Sequence, residues 1–132
     1  SKINNCIRVN SGTVNIYNGY FHVGLDQNGK ESACILVNST KKYSYGTVNI
    51  YGGTFYNETA NAKHIGAINT EDNSYAKVVI YGGKFVDQDL TDSTNPDVAN
   101  GNIKIAAVYH QVKSAQPDPN FGNKYVYEVV AD

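Results

Sequence analysis

Apolar and polar residues alternate with a period of two along three stretches of this chain. In GTVNIY, residues 12–17, Val14 and Ile16 fall on one side and Thr13, Asn15 and Tyr17 on the other. The same six residues recur at 46–51, and a variant, AKVVIY, stands at 76–81. A period of two marks a strand with one buried face. Helical spacing of apolar positions is missing throughout, so the pattern predicts strands and almost no helix.

The three stretches belong to a longer repeat. They begin at residues 12, 46 and 76, that is 34 and then 30 residues apart. Each is followed by an invariant glycine (Gly19, Gly53, Gly83) and, two residues later, by Phe21, Phe55 or Phe85. A second block precedes each copy: CIRVN at 6–10, CILVN at 34–38 and IGAIN at 65–69. Aligned on their asparagines, these blocks place Asn10, Asn38 and Asn69 in one column and Val9, Val37 and Ile68 in another. IKIAAVY at 103–109 reads as a fourth, degenerate version of this block.

Such a period is the signature of a stacked repeat architecture. Like residues then lie above like at the strand spacing of about 4.8 Å. Val, Ile and Phe columns fill a narrow interior. The Asn column is expected to hydrogen-bond along its own ladder, as stacked amides do. Asn18, Gly52 and Gly82 precede the invariant glycines. Both columns are read as one left-handed bend, because Asn and Gly tolerate positive φ.

The predicted fold class is all-β: a right-handed parallel β-helix, or solenoid, of three to four coils with a C-terminal cap. The coils span residues 1–110, with repeats near 3–32, 33–63 and 64–100 and a partial one at 101–110. Extra length falls in the loops 24–32, 39–45, 56–63 and 86–100. Residues 111–132 break the repeat with Pro117, Pro119 and Gly122. They then form a strand in which Val126 faces away from Tyr125 and Tyr127. This cap would cover exposed strand edges. The sequence opens inside a repeat and contains no Met, which reads as a piece of a longer chain.

GTVNIYNGYF and GTVNIYGGTF resemble the coils of right-handed parallel β-helix proteins of the pectate-lyase-like superfamily. The style is similar to that of surface proteins of gut Bacteroidetes and fibre or tailspike proteins of their phages. The resemblance covers roughly residues 3–110. It implies an extracellular, bacterial-surface or virion location and a homotrimeric assembly. It leaves function open, since one solenoid hosts lyases, hydrolases and adhesins.

Composition narrows the partners. Eleven Tyr and twelve Gly in 132 residues suit strands and turns. A net charge of −1 offers no basic footprint for nucleic acid. Apolar runs are far too short to insert in a membrane. No cofactor motif is present, and none is expected.

Candidate chemistry lies on the outward positions. Tyr17, Tyr51 and Tyr81 form a column opposite the Val/Ile face, with Asn15 and Asn49 beside it. A Tyr ladder is a platform for stacking sugar rings; the competing reading is that Tyr simply suits an exposed strand. Asp87, Asp89 and Asp92, with Asp97, form a weak Ca²⁺ candidate without an EF-hand pattern. Cys6 and Cys34 share a column, as a reduced pair or as a disulfide. Zinc spacing is missing.

Glu31, Glu58, Glu71 and Asp72 lie in loops, and no column pairs the acids that a glycosidase needs. His22, His64 and His110 share no column. Cys6, Cys34 and Ile65, with Arg8, Leu36 and Ala67, make a side too apolar to be wholly solvated. A threefold bundle would bury it. The expectation is a non-catalytic fibre or adhesin domain that recognises a cell-surface glycan. The alternatives are a ligand-free stalk and part of a polysaccharide-degrading lyase or hydrolase.

Overall fold

The computed structural model describes residues 5–25, 32–38, 42–59, 66–70 and 75–132. Ile65, His64, Glu31, Glu71 and Asp72 lie outside these residues. The chain is all-β. Its strands follow the repeat: β1 (Asn5–Val9), β2 (Gly12–Ile16) and β3 (Tyr20–Val23) form the first set. The second set is β4 (Ala33–Val37), β5 (Gly46–Ile50) and β6 (Thr54–Asn57). The third is β7 (Ile68–Asn69), β8 (Lys77–Ile80) and β9 (Gly83–Val86). A four-residue helix α1 (Pro96–Ala99), β10 (Ile103–Ile105), β11 (Tyr109–Lys113), a 3₁₀ turn (Pro119–Phe121) and β12 (Val126–Ala131) follow.

Each strand pairs with its counterpart in the next set. The result is a three-stranded sheet β1-β4-β7, a four-stranded sheet β10-β8-β5-β2 and a five-stranded sheet β11-β12-β9-β6-β3. All pairings between the three sets are parallel. The GTVNIY identity translates directly into register: Val14 pairs with Val48 and Val48 with Val78. Val48, Ile50, Val78 and Ile80 are fully buried. Phe21, Phe55 and Phe85 stack ring on ring, 4.9 and 5.1 Å between centroids. Stacked aromatic pairs add about 0.5–1.5 kcal/mol beyond their buried area.

Two alignments are corrected. Ile68 pairs with Ile35 and Asn69 with Leu36, so Asn69 leaves the Asn10/Asn38 column. The slip is two residues, which preserves the inward and outward faces. No ladder runs through this column: Asn10 Oδ1 accepts from Arg8 Nε at 3.2 Å. The second correction concerns IKIAAVY. Ile103 pairs with Val78 and Ile105 with Ile80, so this segment is a fourth rung of the GTVNIY column.

Side chains occupy the place of a fourth rung beside β7. Gln88 is buried and accepts from Ile68 N–H at 2.9 Å while donating to Ile68 C=O at 3.3 Å. Asp97, also buried, accepts from Thr70 N–H at 2.8 Å. These bonds satisfy backbone groups that an edge strand leaves open. At the same end β12 lies antiparallel on β9, and β11 lies antiparallel on β12. Val126 is buried, and Tyr125 and Tyr127 are more exposed.

The two glycine columns have different causes. Gly19, Gly53 and Gly83 adopt φ of 131°, 111° and 103°, the left-handed bend expected. The column before them does not. At Gly52 a Cβ would sit 2.4 Å from Tyr17 O, and at Gly82 it would sit 2.3 Å from Tyr51 O. Glycine is needed there because one rung's backbone rests on the last. Asn18 lies in the first rung, exposed, with no described rung beneath it. Urea unfolding should therefore separate the positions. Gly82→Ala is expected to cost about 2 kcal/mol or more, and Asn18→Ala to stay within about 0.5 kcal/mol.

Candidate functional site

The outward face of the four-stranded sheet carries two ladders. Tyr17 and Tyr51 stack at 5.1 Å with an interplanar angle of 11°, and Tyr51 and Tyr81 at 4.9 Å and 13°. Tyr109 meets Tyr81 edge-on at 5.7 Å. Beside them Asn49 Nδ2 donates to Asn15 Oδ1 at 3.0 Å. This is the amide ladder that the Asn10 column was expected to form. Val79 occupies the next position and ends it.

Self-stacking changes what the Tyr column offers. Both faces of Tyr51 are covered by neighbouring rings, so no sugar can stack on them. Tyr51 presents its ring edge and hydroxyl. Tyr17 is the last ring of the ladder among the described residues.

A polar depression of about 560 Å³ lies beside the ladder, where the four-stranded sheet turns into the five-stranded one. Tyr51 and Tyr81 form one wall. The Gly52–Gly53 and Gly82–Gly83 backbones form the floor, and Thr54, Lys84 and Glu128 close the far side. The same close packing that demands glycine leaves the floor without side chains. Tyr17, Asn15 and Asn49 lie off this groove. Lys84 and Glu128 escaped the sequence reading. Lys84 stands in the column of Tyr20 and Thr54, but Glu128 arrives on the antiparallel strand β12 outside the repeat.

The acidic loop does not converge on a cation. Asp87 pairs with Lys124 at 3.5 Å. Asp89 Oδ1 accepts from Thr91 N–H, the Thr91 hydroxyl and Gln111 Nε2 at 2.9, 2.7 and 2.8 Å. Against the upward push of burial, the Gln111 and Thr91 bonds hold its pKa below the ordinary value. Asp92 accepts from Thr94 N–H and hydroxyl at 2.9 and 2.7 Å. These are turn-forming bonds of Asp to residues two further on. The three carboxylates thus serve three separate local contacts, and no group of acids that could hold a cation occurs among the described residues.

One pair appears that the histidine positions did not suggest. His22 Nε2 lies 2.6 Å from Glu58 Oε2, and the His22 ring stacks on Tyr56 at 5.0 Å. Glu58 stands two residues beyond Tyr56, the register partner of His22, so an alignment offset by two would have revealed it. Of the side proposed for a threefold bundle, Cys34, Leu36 and Ala67 are at most 1% exposed, whereas Cys6 and Arg8 are exposed.

Cys6 and Cys34 face each other across β1 and β4 as free thiols, donating to His22 and Phe21 carbonyls. Burial, then the neighbouring Cys6, pushes the Cys34 thiol up to about 12. No family model, curated protein or solved structure matches this chain.

Because the thiolate is the reactive form and burial raises both thiols, Cys34 to about 12, iodoacetamide should label the exposed Cys6 well before the buried Cys34 in the folded protein and both alike in urea, read by mass spectrometry. The Cys34 shift also predicts a sign for stability. The unfolded thiol ionises first, so stability is full below about pH 9 and falls as pH rises toward 12.

Proposed function

We propose that this chain is a right-handed parallel β-helix segment of an extracellular fibre or adhesin that binds a glycan without cleaving it. The observation that carries the reading is the polar groove beside Tyr51 and Tyr81. Its chemistry suits a hydroxyl-rich ligand. Phenol hydroxyls, the Thr54 hydroxyl, one ammonium and one carboxylate supply donors and acceptors. The ring edges of Tyr51 and Tyr81 supply apolar contact. The acids of the 87–97 loop are engaged in turns and strand capping, which supports a non-catalytic role.

The pectate-lyase-like resemblance supports the solenoid handedness and the surface or virion setting, and homotrimer formation rests on that resemblance alone. The second reading, a stalk without ligand, is favoured by the ladders themselves. Tyr stacking and Asn–Asn bonding already satisfy the repeated outward columns.

A broad glycan array followed by calorimetry separates the two. Binding is expected, with Tyr51→Ala weakening it by about tenfold, the loss of a contact of roughly 1–2 kcal/mol. An array with no bound glycan would favour the stalk.

A further inference from the structure

Asparagine followed by glycine is especially open to attack by its own backbone. Glycine has no Cβ to shield its main-chain nitrogen, and that nitrogen can reach the Asn side-chain carbonyl carbon and close a cyclic imide. The sequence holds three such pairs, Asn18–Gly19, Asn28–Gly29 and Asn100–Gly101. Asn28 and Gly29 lie outside the described residues. The fold treats the other two pairs differently.

Asn100 caps the C-terminus of α1 in the helical conformation, and its N–H donates to Pro96 O at 2.9 Å. Gly101 N–H, the nucleophile of that pair, donates to Val98 O at 3.0 Å. This bond has to break before the nitrogen can react. Asn18 is exposed. Neither its side chain nor Gly19 N–H has a hydrogen-bond partner among the described residues. Gly52 and Gly82, the counterparts of Asn18, rest on a carbonyl of the rung beneath. β2 is an edge strand, and no described rung lies beneath Asn18. Its side chain is free to swing over Gly19.

We propose that Asn18–Gly19 is a site of spontaneous modification, where Asn18 passes through a cyclic imide to aspartate and isoaspartate on the rim of the Tyr51–Tyr81 groove. The Gly19 nitrogen gives up its proton and bonds to Asn18 Cγ. The Cγ–Nδ2 bond breaks, and ammonia leaves with a proton in place of the one given up. Water then adds to one of the two ring carbonyls and breaks its bond to nitrogen. The sum is an amide plus water giving a carboxylic acid plus ammonia, with nothing oxidised or reduced. The new carboxylate matters because of where it stands. Asn18 lines the groove, and Lys84 and Glu128 are the charged side chains among its described lining residues. A balanced lining becomes a net negative one. The inference goes beyond the glycan reading and holds whatever the groove binds.

The test ages the full chain in warm, mildly alkaline buffer, folded and in urea, and reads aspartate and isoaspartate at each position by peptide-resolved mass spectrometry. In the folded chain Asn18 is expected to convert about fivefold faster than Asn100 or more, since the net worth of one backbone hydrogen bond protects on that scale. In urea, where the Gly101 bond is lost, the two rates should converge. A ratio that stays the same in urea would trace the difference to neighbouring sequence rather than to the fold, and would overturn the inference. Equal rates in the folded chain, or conversion of Asn18 in urea alone, would overturn it too.

Discussion

Everything in this molecule depends on the contact between one rung and the next. Parallel hydrogen bonding holds the rungs at a fixed spacing, and the Tyr51 and Tyr81 turns lie on the backbone beneath them with no room for a Cβ at Gly52 or Gly82. That constraint sets the register of the strands on either side. Register in turn places Val on Val, Phe on Phe and Tyr on Tyr. The core is a consequence of stacking rather than its cause. No single rung has enough apolar surface to bury itself, and each Val or Phe is covered only because a like residue lies above or below.

The same constraint shapes the surface. Outward Tyr rings have nowhere to go but onto each other, which removes their faces from ligand binding and leaves edges and hydroxyls. Glycine at the turns leaves a floor of bare backbone. The antiparallel strand β12 then brings Glu128 opposite Lys84, at the edge of the polar groove. The candidate site thus belongs to the junction between the repeat and the antiparallel strand β12, rather than to the repeat alone.

Much of the stack was legible in the sequence, for a physical reason. Where copies are identical, as in GTVNIY, identity and register are the same information. Where they diverge, only the alternation of faces remains, and a two-residue slip leaves that alternation unchanged. Asn69 was misplaced on those grounds, because a shared Asn outweighed the pairing of Ile68 with Ile35. IKIAAVY was assigned to the wrong column because its apolar spacing fits either block. Gln88 and Asp97 were unreadable as rung substitutes, since their role depends on a three-dimensional edge that has no local pattern. The Asp-rich loop misled in the opposite direction. Asp followed two residues later by Thr serves a turn as well as a cation, and Asp89 and Asp92 each bond to the Thr that follows. Glu128 was invisible because nothing in the repeat predicts what an antiparallel strand outside it will bring.

In-register stacking is most directly tested by nuclear Overhauser contacts in solution. Amide and α protons of Thr47–Ile50 should contact those of Thr13–Ile16 on one side and Lys77–Ile80 on the other, in the slanted pattern of parallel strands. Cross-strand α-proton pairs of the antiparallel kind within these three segments, or contacts from Thr47–Ile50 to only one of the two neighbours, would contradict the stack.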